Sequence, residues 1–241
     1  MNGSCDAPGP PIGFPVEGWQ PRPRPPRVPM EGRYCRLEPL DPDRHADELF
    51  TAYAEDHDGR NWTYLAYGPF ADRAGYRLWL EANCLGDDPI FHAVIDFADG
   101  RASGVASYLR ITPDVGVIEV GHINFAPRLQ GTRAATEAMV LMMRRVFDEL
   151  GYRRYEWKCD ALNERSRRAA ERLGFRFEGV FRQATLYKGR NRDTAWYSII
   201  DREWPGIRTA FAAWLDPGNF DAAGRQRCSL SALMAEILAG G

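Results

Sequence analysis

Residues Val117–Phe125, VIEVGHINF, alternate apolar and polar side chains, and from Arg133 the pattern changes to one that repeats every three to four residues. Strict alternation predicts a strand, and the longer repeat predicts an amphipathic helix. Met139, Met142, Met143, Val146 and Leu150 share one face of that helix, over 133–150, and Gly151 ends it. The same reading places a strand at 34–40, a helix from Asp41-Pro42-Asp43 to about residue 57, an aromatic-rich loop at 61–70 and a helix at 72–83. Segments 90–96 and 104–110 read as a hairpin around Ala98-Asp99-Gly100, and 155–160 as a further strand. A short helix opens at Asn163, and 175–182 with 194–201 form a last hairpin around Lys188-Gly189-Arg190-Asn191. Interleaved strands and helices predict an α/β domain, a twisted sheet covered by helices.

Two extensions flank this domain. Residues 1–30 hold nine of the 17 prolines. Proline has no N–H to donate, so this arm is expected to be extended. Phe14, Val16 and Trp19 suggest that it straps across the domain or a neighbouring subunit. Beyond Asp201, Trp204–Leu215 gathers Trp204, Ile207, Phe211, Trp214 and Leu215 on one face, and 230–238 reads as a last short helix. This helical extension is expected to pack on the domain, with cover for a substrate cleft as the alternative. The division is therefore 1–30 arm, 31–203 domain and 204–241 extension.

Composition removes several function classes. A net charge of −2 gives no electrostatic drive toward nucleic acid or a membrane surface. Five scattered cysteines, with no CxxC, suit reduced thiols, and Cys159 reads as a core thiol. The opening MNGSCDAPGPP has neither the basic region nor the apolar run of a secretory leader, so a cytoplasmic protein is expected.

The candidate chemistry begins at the start of the helix at 133. A helix N-terminus has unpaired N–H groups and partial positive charge, and it holds phosphate when the preceding loop stays close. Gln130-Gly131-Thr132-Arg133-Ala134-Ala135 supplies the small residues that such an approach needs. The expected ligand is a nucleotide-like cofactor held by backbone, with no metal. Downstream, Asn163-Glu164-Arg165-Ser166 opens a helix that ends Arg172-Leu173-Gly174-Phe175.

These two segments, in this order, resemble the acyl-CoA-binding motifs of the GNAT superfamily of N-acyltransferases. The loop is similar to Gln/Arg-x-x-Gly-x-Gly/Ala, and Ala135-Thr136-Glu137-Ala138 resembles the RimJ/RimL-type branch; Arg133 stands where the family has its central glycine. The resemblance spans roughly residues 33–201. It implies a GNAT fold, a mixed and mostly antiparallel twisted sheet flanked by helices, with acetyl-CoA as acyl donor. The donor residues it implies are Phe125, Ala126, Gln130, Gly131, Thr132, Arg133, Ala134, Ala135, Asn163, Ser166 and Arg168.

Acyl transfer of this kind needs a neutral amine, a donor to the thioester carbonyl and a proton for the leaving thiolate. Ser166 is the expected hydrogen-bond donor to the thiolate. Glu119 is the first candidate base, since burial would raise its pKa, and His122 is the second. Alternation puts the two on opposite strand faces unless a bulge intervenes. The carboxylate position of RimL-like proteins falls on Thr185, and Asp193 reads as a turn residue. Trp62, Tyr64, Tyr67, Asn124 and Tyr187 are the candidate acceptor-binding residues, the aromatics through cation–π contact. The acceptor stays open between a protein N-terminus and a small amine. A catalytically silent acyl-CoA-binding module and succinyl transfer are the alternatives. A homodimer is compatible with aromatics in both extensions.

Overall fold

In chain order the elements are β1 (Met30–Glu31), β2 (Cys35–Pro39), α1 (Pro42–Tyr53), α2 (Arg73–Asn83), β3 (Ile90–Asp96), β4 (Arg101–Thr112), β5 (Val117–Phe125), α3 (Arg133–Arg144), β6 (Arg154–Asp160), α4 (Glu164–Arg172), β7 (Arg176–Tyr187), β8 (Arg190–Ile200), α5 (Trp204–Leu215) and α6 (Leu230–Ala239). The computed structural model describes residues 12–239; the first eleven residues of the arm, with Cys5, lie outside the described residues. The strands form one sheet in the order β1-β2-β3-β4-β5-β6-β8-β7. All neighbours are antiparallel except β5 and β6.

Each face of the sheet has its own core. α1 and α2 bury Leu49, Tyr53, Tyr76 and Leu80 against Phe91, Ala93 and Val105. On the other face α3 buries Met139, Met142, Met143 and Val146 against Tyr108, Ile118, Val120 and Tyr155. Trp204, Ile207, Phe211 and Trp214 of α5, with Leu230 and Met234 of α6, belong to that second core. The C-terminal extension therefore packs on the domain.

Local chemistry sets the ends of the helices. Asp41 caps α1 by accepting from the Asp43 amide, and Asp72 caps α2 by accepting from the Gly75 amide. α1 stops at Tyr53, short of the expected residue 57. The Asp56 carboxylate accepts from the amides of Arg60 (3.2 Å) and Asn61 (2.9 Å) and turns the chain into the aromatic loop. α3 continues into a π turn over Arg145–Glu149, so its apolar face reaches Leu150, and Gly151 follows with φ +68°.

The described part of the arm lies across the domain. Its prolines cannot donate, so its carbonyls accept and its arginines reach outward. Tyr152 Oη donates to the Pro23 carbonyl (3.1 Å), and buried Arg145 donates to the carbonyls of Val28 and Pro29. Arg24 and Arg27 donate to carbonyls in the loop after α2. Trp19 packs on Gly116, where a Cβ would come within 2.4 Å of the indole.

Candidate active site

β5 and β6 pair only from Val117/Arg154 to Val120/Trp157. Beyond that point β5 keeps β4 and β6 keeps β8, so the two parallel strands open into a cleft. A bulge on β5 accompanies the opening. Ser107 opposes Gly121 and Val105 opposes Asn124, which leaves His122 and Ile123 facing one position of β4. His122 takes φ +51° there. The extra residue turns His122 onto the α1/α2 face, where it lies beside Phe91 and Tyr67. Glu119 lies on that same face, beside Gly121 and Leu109. The bulge that alternation alone could not supply therefore brings both candidate bases to one side.

On the α3 face, the loop after β5 leads into a capped helix start. The Ala126 carbonyl accepts from the amides of Leu129 and Gln130, and Gln130 Nε2 returns to the Phe125 carbonyl (2.8 Å). Thr132 is the N-cap, accepting from the Ala135 amide (3.1 Å). Arg133 and Ala134, as the first two helical residues, have amides with no acceptor inside the helix. Gly131 has φ +74°, and a Cβ there would meet nothing within 4 Å, so the loop presents open backbone where a phosphate needs room. The Arg133 side chain turns away from this role. Its guanidinium sits 4.7 Å from the rings of both Tyr34 and Phe220, joining α3 to the C-terminal extension.

Asn163 caps α4, its side chain accepting from the Ser166 amide (3.1 Å). Ser166 Oγ accepts from the Trp157 indole N–H at 3.0 Å. The neighbouring Cys159 thiol is pushed up by burial and eased down by the Ser166 hydroxyl, which suits a core thiol. Arg168 is exposed and pairs with Glu164 along the helix (3.5 Å).

On the α1/α2 face the two candidate bases have different surroundings. Glu119 is buried, but Arg110 donates to both of its oxygens at 2.7 Å and Lys158 approaches at 2.8 Å. Lys158 also meets Glu156 at 2.8 Å and lies 3.8 Å above the Trp196 ring. Glu119 thus belongs to a buried charge network rather than standing free. Among the described residues His122 has no ion-pair partner. Burial, with Arg110 second, brings its pKa down to about 4, so the imidazole is neutral near pH 7. Its Nδ1 lies 3.2 Å from Tyr67 Oη, and burial raises the Tyr67 phenol well above its ordinary range.

Three segments close around the far end of the cleft. Tyr64 Oη donates to the Leu162 carbonyl (3.1 Å), Tyr187 Oη donates to Asp160 (2.8 Å), and Lys188 Nζ donates to the Trp62 carbonyl (2.7 Å). The Trp62 indole, expected in the acceptor cleft, is core instead: it packs edge-on against Tyr53 and Phe70 and is 5% exposed. Asn124 is buried, and its Nδ2 has no partner among the described residues. Thr185 is exposed on β7, opposite Arg192. Asp193 accepts from the Gln183 amide and the Asn191 side chain, fixing an irregularity in that hairpin. Lys158, Asp160 and Lys188 were not singled out from sequence. The alternation in Glu156-Trp157-Lys158-Cys159-Asp160 was the available signal, since it puts three charges on one strand face.

Comparisons with known proteins bear on the family and the fold. A family model described as the acetyltransferase (GNAT) domain matches residues 35–176. The crystal structure of a GCN5-related N-acetyltransferase from Brucella melitensis is 51% identical, covers 91% of this chain and 100% of its own, and superposes with a TM-score of 0.90. A GNAT-family structure from Chromobacterium violaceum, named a "probable acetyltransferase", is 40% identical over 83% of this chain and 99% of its own, with a TM-score of 0.75. A Bacillus subtilis protein named "Putative ribosomal N-acetyltransferase YdaF" is 31% identical over 108 residues, which are 45% of this chain and 58% of that protein. Because the family model spans more than half of its length and a homologous structure matches it almost end to end, the chain belongs to the GNAT acetyltransferase family.

Proposed function

We propose that the protein transfers an acetyl group from acetyl-CoA to a primary amine by direct attack in a ternary complex. The observation that carries this reading is the opened β5/β6 pair. One face of the opening meets the capped start of α3 with its free amides, and the other presents a neutral His122. The donor's phosphates rest on the amides of Arg133 and Ala134 beside Gly131, and Asn163 and Ser166 lie along its arm. His122 accepts the proton that the attacking nitrogen loses as the N–C bond forms. Ser166 Oγ already accepts from Trp157, which leaves its proton to hydrogen-bond the thiolate as the C–S bond breaks. The unpartnered Asn124 Nδ2 supplies a donor near the reacting carbonyl. Tyr64, Tyr67 and Tyr187 frame the acceptor. The relative named "Putative ribosomal N-acetyltransferase YdaF" supports a protein N-terminus as acceptor, and a small amine is the other acceptor that fits this role.

The test is release of CoA thiol from acetyl-CoA. We expect release that depends on added amine, with intersecting initial-rate lines when both substrates are varied. Parallel lines, with acetylated protein recovered from a mixture lacking amine, would overturn direct attack.

A further inference from the structure

Asp160 ends β6 on the same face as Lys158, and Lys158 shares that face with Glu119 through their ion pair. It is 5% exposed. Among the described residues its carboxylate accepts only neutral donors, the Leu162 amide at 2.8 Å and the Tyr187 hydroxyl at 2.8 Å. Among the described residues no cation stands within 4.0 Å of it, although each of the other buried carboxylates on this face, Glu38, Glu119 and Glu156, holds two. Arg192, on the adjacent strand, turns toward the Tyr187 ring instead, 6.0 Å away. A buried carboxylate that lacks a counter-ion is costly, and a ligand cation relieves that cost.

The surroundings suit a cation. Tyr187 donates to Asp160, and Tyr64 donates to the Leu162 carbonyl two residues on, so two phenol oxygens, each with a lone pair to spare, reach the segment that carries the carboxylate. Across the opening, the β5 lip carries His122 and the unpartnered, buried Asn124 nitrogen. The reacting nitrogen itself is a poor occupant for Asp160. An adjacent carboxylate stabilises the ammonium form, and an ammonium has no lone pair for attack.

We infer that Asp160 receives a second, non-reacting cationic centre of the acceptor, so that the preferred acceptors are primary amines carrying another positive charge a short chain away. This rests on the reading of the β5/β6 opening as the site of transfer. The reacting end then lies at His122 and the second charge lies between Tyr64 and Tyr187.

The experiment measures kcat/KM of the full chain with acetyl-CoA and n-butylamine, 1,4-diaminobutane or 1,6-diaminohexane. We expect at least one diamine to exceed n-butylamine about tenfold or more, mostly through KM. In Asp160→Asn, which keeps an acceptor for the Leu162 amide and turns an N–H toward the Tyr187 hydroxyl oxygen, that ratio should fall toward one, and Asp160→Glu should retain part of it. Equal efficiency for mono- and diamines in the wild type would overturn the subsite while leaving the transferase reading intact, whatever the variants do. A ratio unchanged in a folded Asp160→Asn protein would also overturn it. No turnover with any of the three amines would overturn the subsite, and CoA release with a peptide N-terminus as acceptor then decides the transferase reading separately.

Discussion

Replacing His122 with asparagine is expected to lower kcat about 10²-fold or more while leaving acetyl-CoA affinity within a few-fold, the usual scale for loss of a general base. Asparagine is the informative choice because it tolerates the left-handed backbone that His122 adopts at φ +51°. The variant thus removes the base without straining the bulge. The pH profile makes the same point. Burial and Arg110 place the His122 pKa at about 4, below its ordinary 6.5. The imidazole must be neutral to accept a proton, so the acid limb it sets lies near pH 4 and is flat above about pH 5. Any rise in rate between pH 6 and 9 then comes from deprotonation of the acceptor amine. An enzyme limb near 6.5 that disappears in His122→Asn would show that the histidine is more solvated than this site makes it. An unchanged kcat in the variant would remove His122 from the chemistry.

The second large effect concerns stability. Glu137 lies on α3, 6% exposed, and its carboxylate accepts from three successive backbone amides: Arg33 at 2.8 Å, Tyr34 at 2.6 Å and Cys35 at 3.0 Å. It clamps the turn between β1 and β2 onto the main helix. Gly32 is part of the fit, since a Cβ there would come within 2.4 Å of Glu137 Oε2. Glu137→Ala strands three amide donors, each costing on the order of 1–3 kcal/mol when buried and unpaired. The expected loss is about 4 kcal/mol, which for a chain of this size lowers the melting temperature by about 10 °C. Glu137→Gln keeps one acceptor oxygen and should fall between. Calorimetric melting checks this, and a Glu137→Ala loss below about 1 kcal/mol would mean that the turn finds other partners. The residue resembles a family signature in sequence, yet its contacts are structural.

Elements with one dry face were legible in the sequence. Val117–Phe125 and Trp204–Leu215 lie where alternation and helical spacing put them, because burial imposes those periods. β7 and β8 run further toward their turn than expected, to Tyr187 and from Arg190. β7 is an edge strand exposed along most of its length, so pairing with β8 holds it and no burial pattern marks it. At the site, the helix starts were readable because the loop at Gly131 and Thr132 and the turn at Asn163 act locally. The bulge at His122 was not, since one unpaired residue leaves composition and alternation intact. The commitment of Glu119 to Arg110 and Lys158 was equally hidden, as it depends on which strands are neighbours. Arg133 was misleading for the same reason: its partner Phe220 lies far along the chain.

The most direct measurement is calorimetric titration of the full chain with acetyl-CoA, alongside Gly131→Trp. At Gly131 a Cβ meets no heavy atom within 4 Å, so the indole is carried into the space left for the donor, at the backbone strain that φ +74° imposes on a non-glycine residue. The account predicts one-site binding by the wild type and a loss of about 10²-fold or more in a folded Gly131→Trp protein. Absence of binding by the wild type, or equal binding by the variant, would contradict the placement of the acyl donor at the start of α3.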